Sequence, residues 1–191
     1  LDIANFQEVR RQLELLKPDV IINAAGVSDW RAAALSRQQT WSTVVQGPDN
    51  LAKLGAFLGI PVIHLSCHSV FGASPVRKAY EETDPLAPSN FLAQAQVLGE
   101  HAILRLGQCL TPEVLAKGYG YWIIRTGPLF SPLGTGPWRS SLAQQVFTAP
   151  RTSAMPTTML ADDLRITPTY VPHLAKALIW IAENRGVVPH G

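Results

Sequence analysis

Apolar positions in "NFQEVRRQLELL" recur at helical intervals, with Phe6, Val9, Leu13 and Leu16 on one side. Asn5 with Glu8 three residues on gives a capping-box start, and Lys17, Pro18 and Asp19 stop the helix. The pattern then changes: "VIINAA" is a short, unbroken, β-branched run with polar residues on both sides, which predicts a parallel strand covered on both faces. Helical periodicity returns from Ala32 to Leu58, with Gly47-Pro48 as a kink or as a break that begins a second helix at Pro48. "IPVIHLSCHSVFG" is the next buried strand and its exit loop. Residues 72–90, rich in Pro and Ser, are a loop, and "FLAQAQVLGEHAILRL" is a helix with Leu92, Ala95, Leu98, Ala102 and Leu106 along one side. "GYGYWIIRTG" is a third strand and "PLFSPLGTGPW" a Gly/Pro loop with no regular structure. A helix is expected from Arg139 to Phe147, and "VPHLAKALIWIAENRG" closes the pattern as a helix ending at Gly186.

Alternation of strand and helix predicts an α/β fold, a doubly wound parallel sheet with helices on both faces. Ligands of such sheets bind outside the carboxyl ends of the strands, at the switch in strand order. That brings "NAAGVSD", "SCHSVFG" and "RTGPLF" to one crevice. Composition narrows the partners: 191 residues, 47% hydrophobic and 16% charged, suit one substantial domain. The net charge is only +2 and the cations are scattered, which argues against nucleic acid. No apolar run approaches the roughly 20 residues that span a bilayer. Two widely separated cysteines, Cys67 and Cys109, favour reduced thiols and a cytoplasmic location. The chain begins "LDIANF" without an initiating Met, and a preceding segment is expected.

The order and spacing of several segments resemble one known family. "LDIANF", "KPDVIINAAG", "GPDNLAKLGAFLGIPVIHLS", "VFG", "AYEETDPLAPSN", "LGE", "IIRT" and "DDLRITPTYVPHLAKAL" follow one another as in the dTDP-4-dehydrorhamnose reductases, extended short-chain dehydrogenase/reductases that bind NAD or NADP. The resemblance covers nearly the whole chain and implies a Rossmann-like sheet with a small C-terminal substrate-binding part. Residues 1–125, with 171–185 packing back, would be a partial dinucleotide-binding domain, and 126–170 the substrate-binding region. It assigns Asp2, Ile3, Asn23, Ala24, Ala25, Gly26 and Ser66 to the cofactor, and Cys67, His68, Arg125 and Thr169 to a nucleotide-sugar substrate. The glycine-rich phosphate cradle would precede Leu1; Gly134-Thr135-Gly136, followed by Pro137-Trp138, reads as a plain loop. A homodimer or a partner enzyme is also implied.

The chemistry of the family needs a tyrosine to protonate the alkoxide and, four residues along one helix face, a lysine to lower its pKa. Aligned through "NFLAQAQVLGE", those positions are Leu92 and Gln96, which can neither donate a proton nor carry charge. The family's Ser-Thr-Asp-Tyr-Val-Phe corresponds to "SCHSVF", so Cys67 replaces a threonine that holds the substrate carbonyl and His68 an aspartate. Four changes at one centre, beside a fitting cofactor side, are the pattern of retained binding with lost catalysis. The alternative is an active reductase in which His68 or a water supplies the proton.

His64, Cys67 and His68 invite a reading as a nucleophilic thiol or as metal ligands. Neighbouring Cys67 and His68 on an extended segment would point to opposite faces and lack a third ligand, so Cys67 reads as a small buried apolar group at a strand end, His68 as a cleft-wall residue, and metal is not expected. Asp162-Asp163 reads as structural or capping, and the five tryptophans as core or cleft wall. Arg125 is open between a nucleotide-sugar phosphate and surface pairing.

Overall fold

The computed structural model describes residues 1–27, 30–72, 79–131 and 166–189. Helix α1 (Phe6–Leu16) starts as expected, with the Asn5 side chain accepting the Glu8 N–H at 3.1 Å. It ends at Lys17 in the left-handed region, ahead of Pro18. Its apolar side places Val9 and Leu13 against Leu51, Leu54 and Ile60.

Strand β1 (Ile21–Asn23) follows, then helices α2 (Trp30–Leu35) and α3 (Arg37–Trp41), a π-helical turn (Ser42–Gln46) and α4 (Gly47–Leu58). The sequence placed an interruption at Gly47-Pro48. Helix α4 does begin there, with Pro48 in its first turn, but the backbone stays helical from the π turn through Gly47, and the full break lies at Ser36. Pro48 has no N–H for the carbonyl of Val44 four residues back, and the wide π turn absorbs that loss. Helix α4 ends at Gly59, whose φ of 73° is the left-handed conformation that glycine adopts without strain.

Strand β2 (Val62–Cys67), a 3-10 turn (His68–Phe71), α5 (Phe91–Gln108), a short α6 (Pro112–Ala116) and β3 (Tyr121–Thr126) complete the main sheet. The strand order is β1-β2-β3, all parallel, with Asn23 beside His64 and Cys67 beside Thr126. Alternation along β2 and β3 sorts the two faces. Val62, Tyr121 and Ile123 meet Ala52, Ala56 and Ile103 of α4 and α5, while Ile63, Trp122 and Ile124 meet Leu174 and Leu178. The latter pair belongs to α7 (Val171–Glu183), so the sheet is covered on both faces. The outer edge of β1 has no strand partner among the described residues, and Ile22 there is 41% exposed.

Three other expectations need correction. "PLF" is not irregular: Leu129–Phe130 (β4) pairs in parallel with Thr169–Tyr170 (β5), a ladder between segments forty residues apart that local composition does not announce. Helix α6 lies in a stretch for which no helix was expected. Helix α7 stops at Asn184, whose side chain donates to the Trp180 carbonyl at 2.8 Å, not at Gly186. Gly134-Thr135-Gly136, the expected helix 139–147 and Asp162-Asp163 lie outside the described residues.

Candidate functional site

At the carboxyl end of β1, Asn23 is buried and both ends of its amide are hydrogen-bonded. Its oxygen accepts the Ala25 N–H at 3.1 Å, which identifies the other amide atom as the nitrogen that donates to His64 Nδ1 at 3.0 Å. The imidazole therefore accepts at Nδ1, and a neutral ring carries its proton on Nε2. Burial pushes the His64 pKa down to about 4, opposed in part by the negative charge of Glu100. Asn23 thus shapes the turn, and the exposed surface beyond it is made by Ala24, Ala25 and Gly26, with open space where a Gly26 side chain would be. Asp2 caps its own turn by accepting the Ala4 N–H at 3.0 Å, and Asn50 ties that turn to α4 through the carbonyls of Ile3 and Ala4. Asp2 also borders an open cleft of about 650 Å³ whose other wall is the stretch Leu35–Thr43. Ser66 is buried at 6% exposure, with no hydrogen-bond partner for its hydroxyl among the described residues.

The end of β2 differs from the sequence expectation. Cys67 is the last strand residue, and at His68 the backbone turns into the 3-10 segment, so strand alternation no longer separates the two side chains. Cys67 Sγ lies 3.3 Å from His68 Nδ1, which is also 3.3 Å from the carbonyl oxygen of Thr126. A carbonyl only accepts, so Nδ1 carries hydrogen, and the sulfur beside it is an acceptor too. Burial alone would raise the Cys67 pKa, but hydrogen bonds from His68 and Ser69 outweigh it and hold the thiol below its usual value. The bond to Cys67 raises His68 correspondingly, against its own partial burial. Cys67 is therefore half-buried and polar in its contacts, not the apolar strand-end group expected.

Helix α5 starts at Asn90, whose side chain accepts the Ala93 N–H at 3.0 Å, and this fixes the rotation of its first turns. Leu92 and Gln96 do share a side, yet their surroundings differ. Leu92 is 7% exposed and packs with Ala33, Val44 and Ala95, flanked by Val27 and Val45. Gln96 faces the 3-10 turn, where Ser69 donates to its side-chain oxygen at 2.9 Å. Cys67, His68 and Gln96 therefore lie in one hydrogen-bonded group, and Leu92 lies in an apolar one. No group of three or more His, Cys, Asp or Glu among the described residues is arranged to hold a metal ion.

Arg125 is committed to internal contacts. Its Nη2 meets Glu100 at 2.7 Å, Nε donates to the same carboxylate, Nη1 donates to the Glu82 carbonyl at 2.9 Å, and the guanidinium lies 4.9 Å from the Phe71 ring centre. Glu100 is fully buried. Sequence reasoning overlooked this pair; the only signal was a charged residue among the apolar neighbours of α5. It also overlooked Ser69, which no local pattern marks. Thr169 accepts the Gly127 N–H at 3.1 Å and so fastens β5 to the end of β3, while Thr126 donates to the Ser66 carbonyl at 3.3 Å.

The family description "RmlD substrate binding domain" matches residues 1–188, and the chain belongs to that family. The chain is similar to the dTDP-4-dehydrorhamnose reductase of Mycobacterium tuberculosis, with 30% identity over 179 residues, 90% of this chain and 53% of that protein. It spans about half the length of the curated relatives it matches. The fold is shared with the Bacillus anthracis dTDP-4-dehydrorhamnose reductase in complex with NADP, at 22% identity and a TM-score of 0.73, covering 96% of this chain and 59% of that one. The Thermus thermophilus UDP-glucose 4-epimerase in complex with NAD, at 18% identity, has a TM-score of 0.77 over 100% of this chain and 60% of that one.

Proposed function

We propose that this chain is part of a dTDP-4-dehydrorhamnose reductase-like protein that binds a dinucleotide and a nucleotide sugar but reduces the sugar poorly or not at all. The observation that carries this reading is the environment of Leu92. The position where the family keeps its proton donor holds an apolar side chain, 7% exposed, inside an apolar cluster. Nothing there can give a proton to an alkoxide, and Gln96 bonds a serine instead of supplying charge.

The dinucleotide would lie along the small, exposed strip Ala24-Ala25-Gly26, where a carbon added at Gly26 meets no described atom within 4 Å, and in the cleft beside Asp2. Asn23 and Ile3 would serve by holding those turns in place. When bound, NAD or NADP would supply the hydride for any reduction. The sugar would lie by Cys67 and His68, with Thr169 on its far side, residues 126–170 supplying the substrate part and residues 1–125 with 171–185 the cofactor part. Arg125, already paired with Glu100, would support this surface from behind. A cytoplasmic protein that pairs with a second copy or a partner enzyme suits a binding role.

The test uses the longest natural form of the chain, with NADPH consumption followed by absorbance in excess dTDP-4-dehydrorhamnose and NADPH binding followed by fluorescence in the same sample. Binding without turnover is expected; steady turnover at a rate typical of reductases overturns the reading. One observation favours a second reading, in which His68 is the proton donor: its pKa is raised by Cys67 at the end of the central strand. In that case His68→Ala abolishes residual turnover and leaves NADPH affinity alone, and unchanged turnover excludes it.

A further inference from the structure

Cys67 and His68, placed beside the sugar in the reading above, form a pair in which that reading gives the Cys67 sulfur no bond-forming role. The sulfur has N–H and O–H donors around it. His68 Nδ1–H is 3.3 Å away, held in place by the Thr126 carbonyl on β3, and Ser69 contributes its backbone N–H and its hydroxyl. Ser69 has one hydroxyl proton. It goes either to the Gln96 oxygen or, with the Gln96 amide turned so that its NH₂ donates to Ser69 Oγ, to the sulfur. Gln96, Ser69, Cys67 and His68 thus form one connected chain, anchored at one end by α5 and at the other by β3.

We propose that Cys67 is a nucleophilic site, held as an acceptor by His68 and Ser69, that forms a covalent bond with small molecules carrying a soft electrophilic carbon. The geometry explains the assignment. Donors aimed at sulfur stabilise the anion over the thiol, and the thiolate is the nucleophile. Partial burial withholds full hydration, which would otherwise damp the attack. The step is a displacement: a sulfur electron pair makes the S–C bond while the bond from that carbon to its leaving group breaks, the leaving group departs with its electrons, and the imidazole keeps its proton. No cofactor takes part, so the proposal is independent of whether the protein reduces a sugar.

Iodoacetamide is the probe, with peptide mass spectrometry reading carbamidomethylation at Cys67 and at Cys109 in the same sample between pH 6 and 9. Cys109 is exposed at the end of α5 and serves as the internal reference. Cys67 is expected to react the faster of the two at pH 6.5, with its advantage shrinking as pH rises. His68→Ala should slow Cys67 at pH 6.5 by roughly tenfold or more while leaving Cys109 unchanged. Ser69→Ala should slow it by a smaller factor, and an unchanged Cys109 rate with an unchanged far-ultraviolet circular dichroism spectrum shows that the variants are folded. The proposal is overturned if Cys67 stays unmodified, if the two cysteines share one pH profile, or if His68→Ala leaves the Cys67 rate unchanged.

Discussion

His64 should make this fold acid-sensitive, and the size of the effect follows from its surroundings. The ring is 5% exposed, accepts from Asn23 at Nδ1, and has a pKa lowered from 6.5 to about 4. The unfolded chain takes up a proton near pH 6.5 and the folded chain does not, so acid favours unfolding. Stability attributable to His64 is complete above pH 6.5 and is lost as pH falls from there toward 4. Each pKa unit is worth about 1.4 kcal/mol, so about 2 kcal/mol should be gone by pH 5 and about 3 kcal/mol below pH 4. His68 acts with the opposite sign, because its raised pKa gives stability that is present in acid and fades as pH rises through the folded value. A wild-type curve therefore mixes the two histidines, and the comparison must be with a His64→Gln variant. Glutamine can still accept from Asn23 and has no titration. Urea unfolding of both proteins at pH 7.5, 6 and 5 measures the difference. The stability gap between them should move by about 2 kcal/mol in favour of the variant from pH 7.5 to 5. Parallel losses would show that His64 is not held neutral by burial and would refute the reasoning.

Glu100→Ala should cost about 3–5 kcal/mol in urea unfolding, because it strands Arg125 in a site only 17% exposed; a loss below about 1 kcal/mol would mean that water reaches the guanidinium. Gly99→Ala should cost about 1–3 kcal/mol by the same assay, since the added carbon would stand 2.3 Å from the Val44 carbonyl oxygen and push α5 off the π turn. A neutral result there would mean that the two helices part without penalty. Leu92→Tyr with Gln96→Lys should give measurable NADPH consumption where the parent has little, at a stability cost of about 1–3 kcal/mol for forcing a larger side chain into the apolar cluster. A folded double variant with no gain in rate would show that Cys67 or His68 also blocks the chemistry.

The parallel sheet was readable because it is written locally. "VIINAA" and the β2 and β3 runs are apolar and β-branched enough to mark parallel strands, and Asn5 marks its helix with a side chain that reaches three residues on. What escaped is written across distance. The β4-β5 ladder joins residues forty apart, and the Glu100 contact with Arg125 joins an α5 position to a β3 position 25 residues later. Neither leaves a trace in a window of ten. Gly47-Pro48 is a case of another kind. Proline signals a lost hydrogen bond correctly, but whether the chain breaks or widens by one residue depends on what fills the gap, and here Gly99 lets α5 come close to the freed Val44 carbonyl.

The candidate site was legible by position and illegible by environment. Spacing alone put Leu92 and Gln96 on one side of a helix, which is where they are, but it could not say that one would sit in an apolar cluster and the other in a polar chain. Those environments bear on how the substitutions can coexist. An unpaired tyrosine hydroxyl at Leu92 would cost about 1–3 kcal/mol if it found no acceptor among Ala33, Val44 and Ala95, so leucine suits the site as it is packed. A lysine at Gln96 would bring a cation to Ser69, one hydrogen bond from the Cys67 sulfur, and would compete with His68 for the thiolate. The polar chain from Gln96 to His68 is complete without that cation, as the apolar cluster is without the hydroxyl. Restoring the dyad changes two environments at once, and this is why the double substitution should be compared with each single one: if Gln96→Lys by itself slows iodoacetamide at Cys67 less than His68→Ala does, the histidine and not the helix is what holds the thiolate.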